Sequence, residues 1–189
     1  IEVMGFQDSI SRDPTEEELQ KMEALLEQAL DDGYVGMSTD ALPFHYLANQ
    51  PNTGKTIPTQ FAKYPEIKRL TEVLRQRGAV WQATPPKDST IGTIRTFLLS
   101  CGRLHGKPLK TTVVAALDVQ ANRKIVRLGR LLARVLNSRF LGGDFHLQAL
   151  AAPFKVWSDG AVTPLSEEIP ELRALNEIDL EDRPARRRV

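Results

Sequence analysis

The chain has 189 residues, which favours one domain with at most a short appended arm. Its hydrophobic content of 41% and its charged content of 26% are ordinary for a globular protein, and its net charge of +1 gives no electrostatic reason to expect binding to nucleic acid or to a membrane. The single cysteine, Cys101, excludes an internal disulfide framework, and no signal peptide or apolar run of about 20 residues is visible. These features predict a cytoplasmic protein.

The first well-marked element is a helix that begins after Thr15. Thr15 and Glu18 have the spacing of a capping box, and the acidic first turn complements the helix dipole. The helix carries an apolar stripe and ends before Gly33. A strand, residues 34–39, follows at once. The stripe consists of Leu19, Met22, Leu25, Leu26 and Ala29.

Three further strands are predicted at 79–84, 111–117 and 145–150. Helices at 66–77, 89–100 and 122–136 alternate with them, and residues 102–108 are predicted to form a turn. This alternation is typical of an α/β fold, and its spacing suits a partial (β/α) TIM-type barrel with about four parallel strands and flanking helices. A closed barrel needs eight strands and typically about 250 residues. We assign residues 1–165 to the partial barrel and residues 166–189 to a charged C-terminal arm.

A half barrel has consequences for association. It exposes a strand edge, and we expect it also to expose an apolar inner face. Both features predict self-association, with a homodimer as the simplest form. A triple arginine near the C-terminus is interpreted as part of a solvated tail, so no nucleic-acid partner is expected.

Polar residues near the carboxyl ends of the strands form the predicted substrate pocket, because parallel α/β folds bind ligands at that edge. A long loop, residues 40–63, is predicted to be one wall of it. For Gln82 and Gln148 a role in the pocket and a purely structural role both stay open, because a glutamine within an apolar strand needs a hydrogen-bond partner. Asp118 is better explained as the cap of the helix that follows it. The pocket candidates are Ser38, Thr39, Asp40, His45, Gln82, Thr84, Asp118 and Gln148.

Other motifs do not indicate a site. Gly54-Lys55-Thr56 lacks the preceding glycine of a phosphate-binding loop, because position 49 is asparagine. No two histidines have metal-ligand spacing, so no metal ligand is assigned. His105 is expected in a solvated turn, and His146 is expected at the start of its strand, far from the ligand-binding end. Cys101 is interpreted as a structural thiol.

The N-terminal fifth of the chain resembles a known family. Val3-Met4-Gly5, the helix that begins Thr-Glu-Glu-Glu-Leu, and the segment from Ala29 to Thr39 are similar to the central part of the N-acyl-D-amino-acid deacylases, or D-aminoacylases, of the amidohydrolase superfamily. The similarity is specific over residues 3–39. From residue 64 to about 160 it concerns only the order of strands and helices.

This resemblance implies a metal-dependent hydrolase that cleaves the amide of an N-acyl-D-amino acid. In such enzymes zinc activates a water molecule and a carboxylate handles protons. Family members place histidine ligands at the ends of two strands, where this chain has Thr84-Pro85 and the histidine-free strand 111–117. We therefore expect zinc in the parent enzyme but none on this chain alone, which would be inactive when isolated. The alternative is a non-enzymatic α/β module that binds small molecules or proteins.

Overall fold

A computed structural model describes residues 1–42, 45–48, 50–84, 90–113, 124–148 and residue 184. Within these ranges the helices are α1 (Phe6–Ser11), α2 (Glu16–Asp31), α3 (Tyr64–Arg77), α4 (Thr90–Phe97), α5 (Gly102–His105) and α6 (Lys124–Leu136). The strands are β1 (Gly36–Thr39), β2 (Val80–Ala83), β3 (Lys110–Val113) and β4 (Asp144–Leu147). Short 3-10 turns occupy Pro58–Gln60 and Leu98–Ser100.

The four strands form one parallel sheet in the order β1-β2-β3-β4. The prediction of four parallel strands with flanking helices is therefore confirmed. Within the described ranges β1 pairs only with β2, and β4 pairs only with β3, so this part of the sheet is open. The predicted strand residues 114–117 and 149–150, and the predicted arm apart from residue 184, lie outside the described residues.

Local signals set the helix boundaries. The capping box of α2 is present, because the Thr15 side chain accepts from the Glu18 backbone and the Glu18 side chain accepts from the Thr15 backbone. Arg12 also pairs with Glu18, and these contacts lower the Glu18 pKa to about 2. Gly78 ends α3 in the left-handed conformation, with φ of 66°, which glycine adopts without strain.

The turn predicted at 102–108 is wrong over its first half, which forms the short helix α5. The reason is tertiary: the Gly102 and Arg103 backbone amides donate to the carbonyls of Gly142 and Leu141, each at 3.0 Å. His105 at the end of α5 is half-buried, so it is only partly solvated. Burial and the nearby Arg75 lower its pKa.

The hydrophobic core lies on one face of the sheet. Trp81, Thr111 and Phe145 are neighbours across β2, β3 and β4, and all three are buried. The Phe97 ring packs against Phe145 at a centroid distance of 5.1 Å and against Trp81 at 6.4 Å. Ile67 and Leu74 of α3 and Leu136 of α6 belong to the same cluster. These helices therefore cover the Trp81 face.

The opposite face is polar. Ser38, Gln82, Thr112 and His146 occupy adjacent positions across the four strands; Ser38 and His146 are exposed and the other two are half-buried. The expectation of an apolar inner face is therefore wrong for the described sheet.

The expected position of His146 is also wrong. It is the third residue of β4, level with Ser38 and Gln82. The Asn137 side chain bonds the Phe145 backbone amide and carbonyl at 2.9 and 2.8 Å, which fixes β4 to begin at Asp144.

Two buried side chains, Cys101 and Arg75, lie where the segment between α4 and β3 joins the core. Cys101 is fully buried without a disulfide, as expected of a structural thiol, and burial raises its pKa. The guanidinium of Arg75, only 4% exposed, donates to the carbonyls of Leu99 and Lys107 at 2.7 and 2.5 Å and pairs with Glu72 at 2.9 Å. Arg75 thus ties α3 to the segment between α4 and β3.

Across the part of the chain that the structure describes, each helix is too short or too polar to span a bilayer.

Candidate functional site

The carboxylate of Asp40 is the centre of a polar cluster directly after β1. One oxygen, Oδ1, accepts from the Leu42 backbone amide at 2.9 Å and from the Thr84 hydroxyl at 3.1 Å. The other oxygen, Oδ2, contacts Nδ1 of His45. Three of the predicted pocket residues, Asp40, His45 and Thr84, are therefore brought together where β1 and β2 end.

The long loop holds this cluster through two residues that the sequence did not indicate. The Thr59 hydroxyl donates to the Asp40 carbonyl at 2.6 Å and accepts from the Asp40 amide at 3.1 Å. The Gln60 side chain donates to the carbonyls of Leu42 and His45 at 2.6 and 2.8 Å. Both residues lie on the 3-10 turn that begins at Pro58. The proline was the only signal for this turn, since the bonded partners lie far apart in sequence.

Thr84 also connects the two strand ends. Its hydroxyl oxygen accepts from the Ala41 backbone amide at 2.7 Å, while its own hydrogen goes to Asp40. The Thr84 amide donates to the Thr39 carbonyl at 3.2 Å and so extends the β1–β2 pairing by one residue. Substituting Thr84 would therefore disturb the backbone path from β1 into the loop as well as the carboxylate.

Thr39 has a structural partner. Its hydroxyl accepts from the indole nitrogen of Trp81 at 3.0 Å, and both side chains are buried.

Thr39 also lines a small cavity of about 110 Å³ beside the cluster, which is rich in hydroxyl groups and large enough to hold water. The cavity is lined by Thr39, Ala41, Thr59, Gln60, Ala62, Tyr64, Ile67, Trp81, Thr84 and Thr96.

The remaining predicted residues lie elsewhere. Ser38 and Gln82 are neighbours on the polar face of the sheet. Gln148, just after β4, donates to the Thr112 hydroxyl at 3.1 Å on the same face. Asp118 lies outside the described residues. The seven described candidates therefore separate into the Asp40 cluster, the buried Thr39 and a group on the sheet face.

A second cavity, of about 350 Å³, lies away from the strand ends. It is a mostly apolar space between α2, α3 and the first residues of the chain, with Met22, Leu25 and Leu70 in its walls. Glu66 borders it, and burial, aided by the nearby Asp13, raises the Glu66 pKa. No histidine lines this cavity, and it has no contact with the Asp40 cluster apart from Thr59. We therefore place the candidate site at the strand ends.

The described residues alone do not supply a ligand set for the zinc that the family resemblance implies. Within the described ranges no group of three or more histidine, cysteine, aspartate or glutamate side chains could hold a metal ion. Catalytic zinc normally has three protein ligands. Asp40 and His45 supply two at most, and Cys101 is sealed in the core.

The Asp40–His45 pair is suited to proton transfer. A carboxylate only accepts hydrogen bonds, so Nδ1 of the ring is the donor in this contact. The side chains are partly exposed, 24% for Asp40 and 33% for His45, so the pair is neither sealed in the core nor fully solvated. An imidazole oriented by a carboxylate is a common general acid and base.

Three curated proteins are similar to this chain. They are uncharacterized proteins, one from Mycobacterium bovis and two from Mycobacterium tuberculosis, and each is 33% identical over 156 residues. The match covers 82% of this chain and 25% of each relative, so the chain spans about a quarter of the length of the curated relatives it matches. No family model matches the chain. No solved structure matches it either.

Proposed function

We propose that this chain forms one wall of a (β/α)-barrel hydrolase that cleaves the amide bond of N-acyl-D-amino acids. The observation that carries the proposal is the Asp40–His45 pair, held by Thr84, at the carboxyl edge of a parallel sheet. The amide substrate and its D configuration come from the resemblance of residues 3–39 to the deacylases. Zinc in the full-length protein belongs to the proposal through that resemblance alone.

The strand order supports a barrel. A doubly wound sheet reverses its winding at a switch point and buries both faces under helices. Here each strand pairs with the next one in the chain, and the core residues Trp81, Thr111 and Phe145 all lie on one face. Consecutive winding with one helix-covered face is the arrangement of a barrel wall.

The proposed reaction uses His45 as the proton-transfer group. Its Nε2 takes a proton from the water that attacks the acyl carbonyl, and then donates that proton to the departing amide nitrogen. The carbon–nitrogen bond breaks, and the products are a carboxylic acid and a free D-amino acid. Asp40 fixes the ring orientation and stabilises the imidazolium that forms transiently.

The test uses the full-length natural protein with N-acetyl-D-leucine, and measures release of D-leucine. We expect Asp40→Asn and His45→Gln each to lower kcat by about 10²- to 10⁴-fold, the usual effect of losing general acid–base catalysis. Asp13→Asn and His105→Gln are matched controls that change the same residue types elsewhere. Thermal unfolding of each variant separates lost chemistry from lost folding.

Two outcomes would contradict this function. One is a wild-type protein that does not release D-leucine. The other is a folded His45→Gln variant with wild-type kcat. A protein that binds N-acetyl-D-leucine without turnover would support the alternative of a small-molecule-binding module.

We also propose that the 189-residue chain self-associates through the outer edge of β1. Among the described strands β1 has a partner on one side only, and Tyr34 and Val35 beside it are 69% and 82% exposed. Free strand edges readily pair with another chain. Sedimentation should show a dimer at micromolar concentration, and Val35→Lys should shift it toward monomer. A folded wild-type monomer at these concentrations would refute the proposal.

A further inference from the structure

Helix α6 exposes an apolar stripe that no described element covers. Leu128, Leu131 and Val135 are 65%, 57% and 49% exposed, and their spacing of three and four places them on one side of the helix. We propose that the acidic stretch 167–182 of this chain docks on that side of α6. The docking concerns how the fold is completed and is independent of the hydrolase activity.

A different side of α6 holds the helix against the sheet. Leu136 belongs to the core cluster, and Leu132 packs against it. Gly129 lies so close to β4 that a β-carbon at this position would come within 2.9 Å of a methyl carbon of Leu147. The exposed stripe lies outside this contact, so a substitution in the stripe removes no core side chain.

The exposed side of α6 is also strongly basic. Arg127, Arg130 and Arg134 are exposed, and none of them forms an ion pair or a hydrogen bond with another described residue. Like charges three and four positions apart destabilise a helix. Between Asp118 and Asp144 the chain has six basic residues and no acidic one. An occupant of this surface must therefore supply both apolar contacts and negative charge.

The stretch 167–182 has the matching chemistry. It lies outside the described residues, and its sequence contains seven acidic residues and one basic residue, a net charge of −6. Its apolar residues recur at every third position, close to the period of a helix. They are Ile169, Leu172, Leu175 and Ile178. The charges of the two segments are opposite, and each segment has an apolar stripe to bury.

The other strongly acidic stretch of the chain is helix α2, and its carboxylates already have partners. Glu16 and Glu23 pair with Arg69. Asp31 pairs with Arg77. Because these contacts lie within the described fold, α2 of a second copy is a poorer occupant for the arginines of α6 than 167–182.

The connection between the two segments is long enough for this contact. Glu167 follows Leu147, the last residue of β4, by 20 positions, and 20 extended residues span up to about 66 Å. Helix α6 has 13 residues, which makes it about 20 Å long, and it lies beside β4. The stretch 167–182 can therefore reach every turn of α6.

Amide hydrogen exchange of the full-length natural protein, measured by mass spectrometry, tests the contact. Peptides from 167–182 should be protected in the wild type. The double change Arg130→Glu and Arg134→Glu should raise their exchange rate by about tenfold, because it replaces attraction by repulsion. Leu131→Asp should act similarly by placing a charge in the stripe. The control is Lys68→Glu, a charge reversal at an exposed position of α3, which should leave this exchange unchanged.

A charge swap gives the second readout. Glu171→Arg and Glu177→Arg, added to the protein that carries Arg130→Glu and Arg134→Glu, should restore the protection of 167–182. A variant that is merely misfolded would not recover in this way. The melting temperature of each variant shows whether the rest of the fold is intact.

Several results would overturn the proposal. One is unprotected exchange of 167–182 in the wild type. Another is protection that the α6 variants leave unchanged, because the stretch would then dock elsewhere. A third is protection that the charge swap fails to restore in a protein with the wild-type melting temperature. If 167–182 is unprotected and the wild type binds phosphatidylglycerol vesicles or RNA through Arg130 and Arg134, the surface serves an anionic ligand instead.

Discussion

Trp81→Ala should lower the free energy of unfolding by about 3–5 kcal/mol, the range for removing a large aromatic side chain from a packed core. Trp81 is 1% exposed and packs against Phe97, so alanine leaves a cavity between the sheet and its helices. The change also removes the donor to the Thr39 hydroxyl, which stays buried at the end of β1. Urea unfolding followed by circular dichroism measures the loss.

Two comparison variants sharpen this result. Trp81→Phe keeps most of the apolar volume and loses the indole donor, so its cost should fall between those of wild type and alanine. Ile91→Ala is the control, because Ile91 on α4 is 81% exposed and should change stability by less than about 0.5 kcal/mol. Equal stability of Trp81→Ala and wild type would show that the described core does not hold the sheet.

Arg75→Met should lower the free energy of unfolding by about 2–4 kcal/mol, although it replaces a charged residue with an apolar one. The guanidinium is the hydrogen-bond donor to the carbonyls of Leu99 and Lys107, and a buried carbonyl left without a donor costs about 1–3 kcal/mol. Arg75→Lys should recover only part of this, since one ammonium group does not reproduce the planar fork of arginine. Chemical unfolding at neutral pH provides the measurement.

The matched control is Arg77→Met, two residues further along α3. Arg77 pairs with Asp31, but its side chain is 40% exposed, and exposed ion pairs contribute about 1 kcal/mol or less. If Arg75→Met and Arg77→Met are equally stable, burial of Arg75 has no energetic consequence and the link between α3 and the α4–β3 segment is unimportant.

The sequence predicted the order of helices and strands because these elements carry strong local signals. The capping box at Thr15 and the glycine at position 78 act within a few residues of the boundaries they set. The first half of the predicted turn at 102–108 had no such signal. It became helical because Gly102 and Arg103 bond to a segment about 40 residues away, which local pattern cannot report.

The candidate site was predicted only in part, because some of its contacts follow from strand pairing and others depend on the path of a loop. Asp40 and Thr84 follow strands, so their meeting at one sheet edge follows from parallel pairing. Thr59 and Gln60 were missed, because a loop has no periodic pattern that indicates which of its side chains hydrogen-bond to the segment after β1. His146 was assigned to the wrong end of its strand, because the start of β4 is fixed by the side chain of Asn137 on the preceding turn.

The consecutive strand order has a consequence for how the protein is made. Paired strands are separated by roughly 30 to 45 residues, and each new strand joins the one synthesised just before it. The sheet can therefore grow by one strand and one helix at a time while the ribosome is still translating. Because each pair of strands is close in sequence, the loop-closure entropy for each pairing is smaller than it would be for strands far apart in the chain.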